Sequence, residues 1–213
     1  MLEREEHPSR EDWLEHRGAG LGASEAAAAC GLSSWMTTTE LWELKTGKRT
    51  AHDLSDNAAV AFGTHAEEHL RALFMLQHPE LELEYHAFDF LYQTERPWLR
   101  CTLDGELIDR ANNERGILEI KTAQCGSRTD WAKWRDHIPD HYYTQICHQF
   151  LATRYDFAYL FAMLIGLDGD AALRSYYFTR NGCSTDMEWL LQKEEKFWRC
   201  VEQDRVPPTT LRL

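Results

Sequence analysis

Residues 157–167, FAYLFAMLIGL, are apolar at nearly every position. A strand with one wet face alternates apolar and polar side chains, so an unbroken run reads as a strand buried on both faces. Such a strand needs layers of other structure on both sides of its sheet. The rest of the chain supplies candidates. Residues 57–77 carry Ala66, Leu70, Leu73 and Phe74 at helical spacing. Residues 140–153 place Tyr143, Ile146, Cys147, Phe150 and Leu151 on one helical face. A last helix opens at a Thr185-x-x-Glu188 box, buries Met187, Leu190, Leu191, Phe197, Trp198 and Val201, and stops before Pro207-Pro208.

Strands are expected between these helices. Residues 81–92 alternate, with Leu81, Leu83 and Tyr85 on one side. Residues 98–103 and 106–109 flank Asp104-Gly105, and ILEIKT follows the loop 112–116 as a third strand. Residues 131–137 read as a short helix ended by Pro139, and 173–178 as an edge strand. The first third reads as helical. Ser24 is the expected cap of AAAAC with Gly31 as its stop, and Thr37-x-x-Glu40 is a capping box before LWELKTG, which Gly47 ends. The order predicts an α/β fold with a central mixed β-sheet flanked by helices. One domain spanning 1–213 is expected: a mostly helical N-terminal region over 1–78, a sheet core over 79–180 and a C-terminal helix over 184–206.

The charge balance, 35 acidic against 23 basic residues for a net −12, excludes a generally basic nucleic-acid binder but leaves room for local basic patches. No apolar run approaches the ~18 residues of a membrane span, and the charged MLEREEHPSREDW lacks a signal core, so a cytoplasmic protein is expected. The six cysteines include no CxxC pair and read as reduced and buried.

The chemistry centres on the ILEIKT strand. Alternate residues share a face, so Glu119 and Lys121 point together from an otherwise apolar strand, and Asp104 reaches the same place from a preceding hairpin. Two carboxylates on rigid strands suit a hard cation such as Mg²⁺ or Mn²⁺. A lysine beside them can orient or activate a water and stabilise developing negative charge, as phosphodiester hydrolysis requires. Glu67, bordering the apolar face of its helix, is a candidate third carboxylate. His141, Gln145, His148 and Gln149 form a polar stripe able to contact a phosphate or a metal-bound water. Spacing alone leaves plainer alternatives open. Asp-Gly is the commonest hairpin turn, the Glu-Lys pair fits a solvated face, and the stripe fits a solvent-facing surface.

Five pieces then occur in one order: Arg17 with Gly22-Ala23-Ser24-Glu25; Phe62-Gly63-Thr64-His65-Ala66-Glu67; Cys101-Thr102-Leu103-Asp104-Gly105; Leu118-Glu119-Ile120-Lys121; and Tyr142-Tyr143-Thr144-Gln145-Ile146-Cys147-His148-Gln149. In this the chain resembles the phage-type exonucleases, the lambda exonuclease and YqaJ-like viral recombinase group, which have the PD-(D/E)XK nuclease fold. The resemblance implies that Asp104 and Glu119 hold Mg²⁺, with Mn²⁺ as a substitute, helped by the Ile120 backbone carbonyl and by Glu67. It makes Lys121 the catalytic lysine and Gln145 a helper, and gives Arg17 and Ser24 the 5′-terminal phosphate. The implied activity is 5′→3′ degradation of one strand of linear double-stranded DNA. The implied setting is phage or prophage recombination in a bacterial cytoplasm, with a ring-shaped homotrimer and a single-strand annealing protein as partner. Arg128, Lys133 and Arg135, with only Asp130 against them, form a local patch for DNA phosphates.

Two rivals share the sequence. His65-Ala66-Glu67-Glu68-His69 fits the inverted zinc-peptidase motif HxxEH, with Glu68 as base and Glu67 a bystander. A non-catalytic nuclease fold kept for DNA binding is the other. It has no need of Asp104, Glu119 and Lys121 together.

Overall fold

The computed structural model describes residues 1–50 and 57–208. The chain begins with β1 (Leu2–Glu6), α1 (Arg10–His16), β2 (Leu21–Gly22), α2 (Ala26–Ala29) and α3 (Thr38–Lys45). Then come α4 (Ala58–Gln77), β3 (Leu81–Glu84), β4 (Asp89–Gln93), β5 (Arg96–Cys101), β6 (Gly105–Asp109) and β7 (Arg115–Cys125). It closes with α5 (Arg128–Ala132), α6 (Asp140–Thr153), β8 (Phe157–Gly166), β9 (Ala171–Thr179) and α7 (Ser184–Glu202). Tight 3-10 turns at Arg17–Ala19 and Ala23–Glu25 flank β2.

The apolar run becomes β8. It lies inside a five-stranded sheet of order β3-β6-β7-β8-β9, parallel to β7 and antiparallel to the edge strand β9. Helix α4 covers one face, where Leu70 and Phe74 pack against Leu118, Ile120, Phe157 and Phe161. On the other face Ile146 and Phe150 of α6 meet Ile117, Leu160 and Leu164. This two-sided cover is the environment that an unbroken apolar strand needs.

This is the expected central mixed sheet flanked by helices, and it has a companion. A second mixed sheet of four strands, in the order β1-β4-β5-β2, lies beside the first. The continuous strand expected over 81–92 breaks at Phe88, whose φ of 59° is left-handed, and its halves join different sheets. The helical first third also contains β1 and β2. β1, LEREE, is an edge strand whose charge keeps other strands away and hides it from an apolar pattern. Arg4 of β1 pairs with Asp89 of β4 and with Glu106 of β6, tying one sheet to the other through two buried carboxylates.

Helix caps match only at some positions. Thr37 and Glu40 close the expected capping box. Asn57 caps α4 through Oδ1, which accepts from the Ala59 and Val60 N–H groups. The Thr185–Glu188 box does not form, because α7 begins two residues earlier with Cys183, not Thr185, at its cap position. The short helix expected at 131–137 is α5, which starts at Arg128 behind a Ser127 cap. All six cysteines are free and buried. Among the described residues no helix is long and apolar enough to cross a membrane.

Candidate active site

Strand β6 is shorter than its neighbour β7. Their ladder ends at the pair Gly105–Leu118, while β7 runs on to Cys125 beside β8. Beyond Leu118 one edge of β7 therefore lacks a strand partner from β6. Asp104, the residue just before β6, fills the first vacancy: its Oδ2 accepts the Ile120 N–H at 2.7 Å. A residue's N–H and C=O point to the same side of a strand, so the Ile120 carbonyl faces this same open edge.

The expected hairpin around Asp104-Gly105 is not present. β5 and β6 belong to different sheets, and Asp104-Gly105 is the step between them. Glycine is suited there, because a Cβ on Gly105 would sit 3.1 Å from Leu83 Cδ1 and 3.4 Å from the Leu118 Cβ.

Glu119 and Lys121 share the α6 face of β7. Glu119 is buried and collects three donors. Its Oε1 accepts from Lys121 Nζ and from Gln145 Nε2, and its Oε2 accepts from Gln149 Nε2. A carboxylate offers about four acceptor positions, so one remains open. Gln145 and Gln149 lie one helical turn apart on α6, and both are buried. The solvent-facing alternative for the α6 polar stripe is thereby corrected. Its members divide, however. His148 turns away from Glu119, with Nδ1 2.7 Å from Glu194 Oε1 and Nε2 3.0 Å from the Arg100 carbonyl oxygen. His141 packs edge-on against Trp35 at 4.5 Å.

Glu67 approaches from α4, on the opposite side of the sheet. Among the described residues it does not join Asp104 and Glu119 in a cluster of ligand atoms within 4.8 Å of one another. It remains electrostatically linked to them. Burial raises its carboxyl, Arg71 and Lys121 pull it down, and Glu119 pushes it up. Gly63, one turn earlier, lets α4 come close to β7, since a Cβ there would meet Thr122 Oγ1 at 3.2 Å.

The carboxylates crowd one another. Burial first, and then Glu119, push the Asp104 carboxyl up to about 8, against the pull of Lys121. Burial would lower Lys121, but Glu119 and Asp104 outweigh it and hold the ammonium charged well above neutral pH. With both carboxyls ionised the donor set would carry more negative charge than one lysine balances, so without a cation the Asp104 carboxyl holds its proton, and a bound divalent cation would displace it. Its free positions are oxygens: the Asp104 and Glu119 carboxylates and the Ile120 carbonyl. That set fits a hard divalent cation of the Mg²⁺ class.

A second cluster gathers Arg17 and Ser24. The Arg17 Nη2 donates to Ser24 Oγ at 2.9 Å. Ser24 is not the helix cap expected from the sequence; it sits within the 3-10 turn before α2, leaving its hydroxyl to Arg17. The Glu25 carboxylate accepts the Gly22 N–H at 2.8 Å and pairs with Lys45 Nζ at 2.7 Å. Lys45 also donates to the Arg17 carbonyl at 3.4 Å. Gly20 permits this packing, as a Cβ there would lie 2.6 Å from Arg100 Nε and from the Trp98 carbonyl. Sequence reasoning missed Lys45; only its place in the last turn of a recognisable capped helix signals it.

The remaining candidates are on the surface. Arg128, Lys133 and Arg135 are exposed. Lys133 pairs with Asp130 at 3.1 Å, and Arg128 lines a depression with Trp131, Leu167 and Asp168. The peptidase arrangement is not assembled. His65, Glu68 and His69 are exposed on α4, and among the described residues no third ligand converges on the two histidines.

Residues 12–156 match the YqaJ-like viral recombinase domain. The uncharacterized protein YqaJ of Bacillus subtilis (strain 168) is 30% identical over 168 residues, which cover 78% of this chain and 50% of that protein. The chain thus spans about half the length of the curated relative it matches. Among solved structures, an alkaline exonuclease from Laribacter hongkongensis superposes with a TM-score of 0.68 at 16% identity, over 91% of this chain and 93% of the other. The same exonuclease in complex with dAMP superposes with a TM-score of 0.65 at 16% identity over the same shares. The likeness is one of fold, and the fold is of the PD-(D/E)XK type.

Proposed function

This chain belongs to the YqaJ-like viral recombinase family, and from that membership and the Asp104–Glu119–Lys121 geometry we propose a deoxyribonuclease that degrades one strand of linear duplex DNA from 5′ to 3′. The observation that carries the proposal is the gathering of two carboxylates and an ammonium at the open edge of β7. In this reading Asp104, Glu119 and the Ile120 carbonyl hold Mg²⁺, which Mn²⁺ can replace, with Glu67 farther out. The bound cation supplies Lewis-acid polarisation of the scissile phosphate and an acidified water.

The chain's own residues divide the remaining work. Lys121 is a charged donor rather than a proton acceptor at neutral pH. It therefore orients the attacking water and offsets the charge that grows on the phosphate oxygens. Gln145 and Gln149 fix the Glu119 carboxylate, so its free position has one direction. Arg17 and Ser24 hold the terminal 5′ phosphate, and Arg128, Lys133 and Arg135 take backbone phosphates. The fold likeness to an alkaline exonuclease supports this reading without extending to direction or metal.

The wider setting we propose is phage-type recombination in a bacterial cytoplasm. A ring of three copies encloses the duplex, and a single-strand annealing protein receives the exposed strand. The test is a linear duplex labelled at either the 5′ or the 3′ end, incubated with Mg²⁺, Ca²⁺ or EDTA. Early release of the 5′ label in Mg²⁺ alone is expected. Early release of the 3′ label would overturn the direction, and equal rates in EDTA would overturn the metal.

A further inference from the structure

On the nuclease reading above, from which this one proceeds, we infer that Arg71 holds a DNA backbone phosphate beside the metal carboxylates: the phosphodiester next to the one that is cut.

Helix α4 places it there. Gly63, Glu67 and Arg71 recur every four residues and so form one stripe along the helix. That stripe follows the open edge of β7. At one end a Cβ on Gly63 would meet Thr122 Oγ1 at 3.2 Å. In the middle, Glu67 feels the charges of Lys121 and Glu119. At the other end, Arg71 Nη1 donates to the Asp104 backbone carbonyl at 3.3 Å. A DNA strand that lays its scissile phosphate against Asp104 and Glu119, and continues past Asp104, meets Arg71 next.

Two features prepare this guanidinium for an oxyanion. First, it is held flat. Its Cζ lies 3.8 Å from the centroid of the Tyr85 ring, which is stacking distance. The N–H bonds of a guanidinium lie in its own plane, so they run along the ring and not into it. Tyr85 is 47% exposed, which leaves the edge of this stack open to solvent. Second, donors are left over. An arginine has five N–H groups, and the one hydrogen bond here goes to the Asp104 carbonyl. Among the described residues no carboxylate pairs with it, although Glu67 and Tyr85 both feel its charge. Its neighbours behave otherwise. Arg110 pairs with Glu82 at 2.9 Å, and Arg115 pairs with Glu84 at 3.8 Å, so the acids of β3 are already taken.

The chemistry selects the ligand. A planar fork of donors matches two oxygens of one phosphate. A small anion arriving alone would meet the repulsion of Glu67, Asp104 and Glu119. A DNA strand brings its neighbouring phosphate to the cation, so attraction at the metal and at Arg71 act on one molecule. Arginine stays charged throughout, so Arg71 positions the strand and moves no proton.

The experiment is steady-state degradation of a 5′-phosphorylated linear duplex in Mg²⁺ over a range of potassium chloride concentrations, with melting curves of each protein. Arg71→Ala should raise KM by about ten- to a hundredfold, the range for a lost charged hydrogen bond. It should also lower the slope of log KM against log salt by about 1, because one phosphate contact is gone. kcat at saturating DNA should change much less. Arg71→Lys should keep the salt slope, since the charge remains, and should recover KM only in part, since lysine lacks the fork. A residue that merely propped Asp104 would lower kcat and leave the salt slope alone, and that result would overturn the inference. Wild-type KM and slope in Arg71→Ala would overturn it too, while leaving the nuclease reading in place. Should Arg71→Ala unfold, Arg71→Lys decides: a raised KM on the wild-type slope supports the inference, and wild-type KM overturns it. A wild type that degrades no duplex would remove the nuclease reading and this one with it.

Discussion

At the scale of single residues, alternation along β7 is enough to pair Glu119 with Lys121, because side-chain direction in a strand follows from position alone. Asp104 is legible as a residue but not as a position: Asp-Gly reads as a turn, whereas here it steps between two sheets. Gln149 and His148 are ambiguous for a different reason. A polar stripe on a helix looks the same whether it faces water or a buried carboxylate, and only the tertiary packing of α6 decides. The Arg17–Ser24 contact has a direct test. Arg17→Ala should lose most of the preference for 5′-phosphorylated over 5′-hydroxyl duplex ends, and Arg17→Lys should restore it incompletely, since lysine lacks the planar fork. Initial rates on both kinds of end measure this. Unchanged preference in Arg17→Ala would remove the residue from the phosphate site.

At the scale of elements, long periodic segments are legible in the sequence and the corners between them are not. α4, α6 and β8 fall within a residue or two of their expected bounds. Alternation over 81–92 continues across a left-handed residue, so it reads as one strand where two sheets each take a piece. Gly116 is a related case. It reads as the end of a loop, yet it lies within β7, paired with Phe157. A Cβ there would stand 2.2 Å from the Phe157 ring, which is buried and has little room to move. Gly116→Ala should therefore destabilise the protein by about 1–3 kcal/mol through overpacking, as read by denaturant unfolding. Unchanged stability would mean that the ring yields freely.

At the scale of the whole molecule, the acidic surface is what a DNA-degrading enzyme must overcome. A net charge of −12 repels a polyanion unless the basic residues are concentrated along its path. A closed ring would do this, and in the sequence only the family resemblance and the eight Trp and eight Tyr, as candidate interface anchors, point to it. Light scattering should give about three times the 24.9 kDa chain mass; a strictly monomeric particle that still degrades DNA processively would contradict the ring. The central claim is narrower than the ring: that the open edge of β7 is where phosphodiesters are cut. Glu119→Gln keeps the shape of the side chain and removes its charge, so a hard cation loses a ligand and Lys121 loses its counter-ion. The most direct measurement is degradation of linear duplex DNA in Mg²⁺ by this variant beside wild type, with melting curves of both. Loss of activity by at least two to three orders of magnitude in a variant that still melts cooperatively is the predicted result, in the range seen when one catalytic electrostatic contact is removed. Near-normal degradation by the folded variant would contradict the assignment.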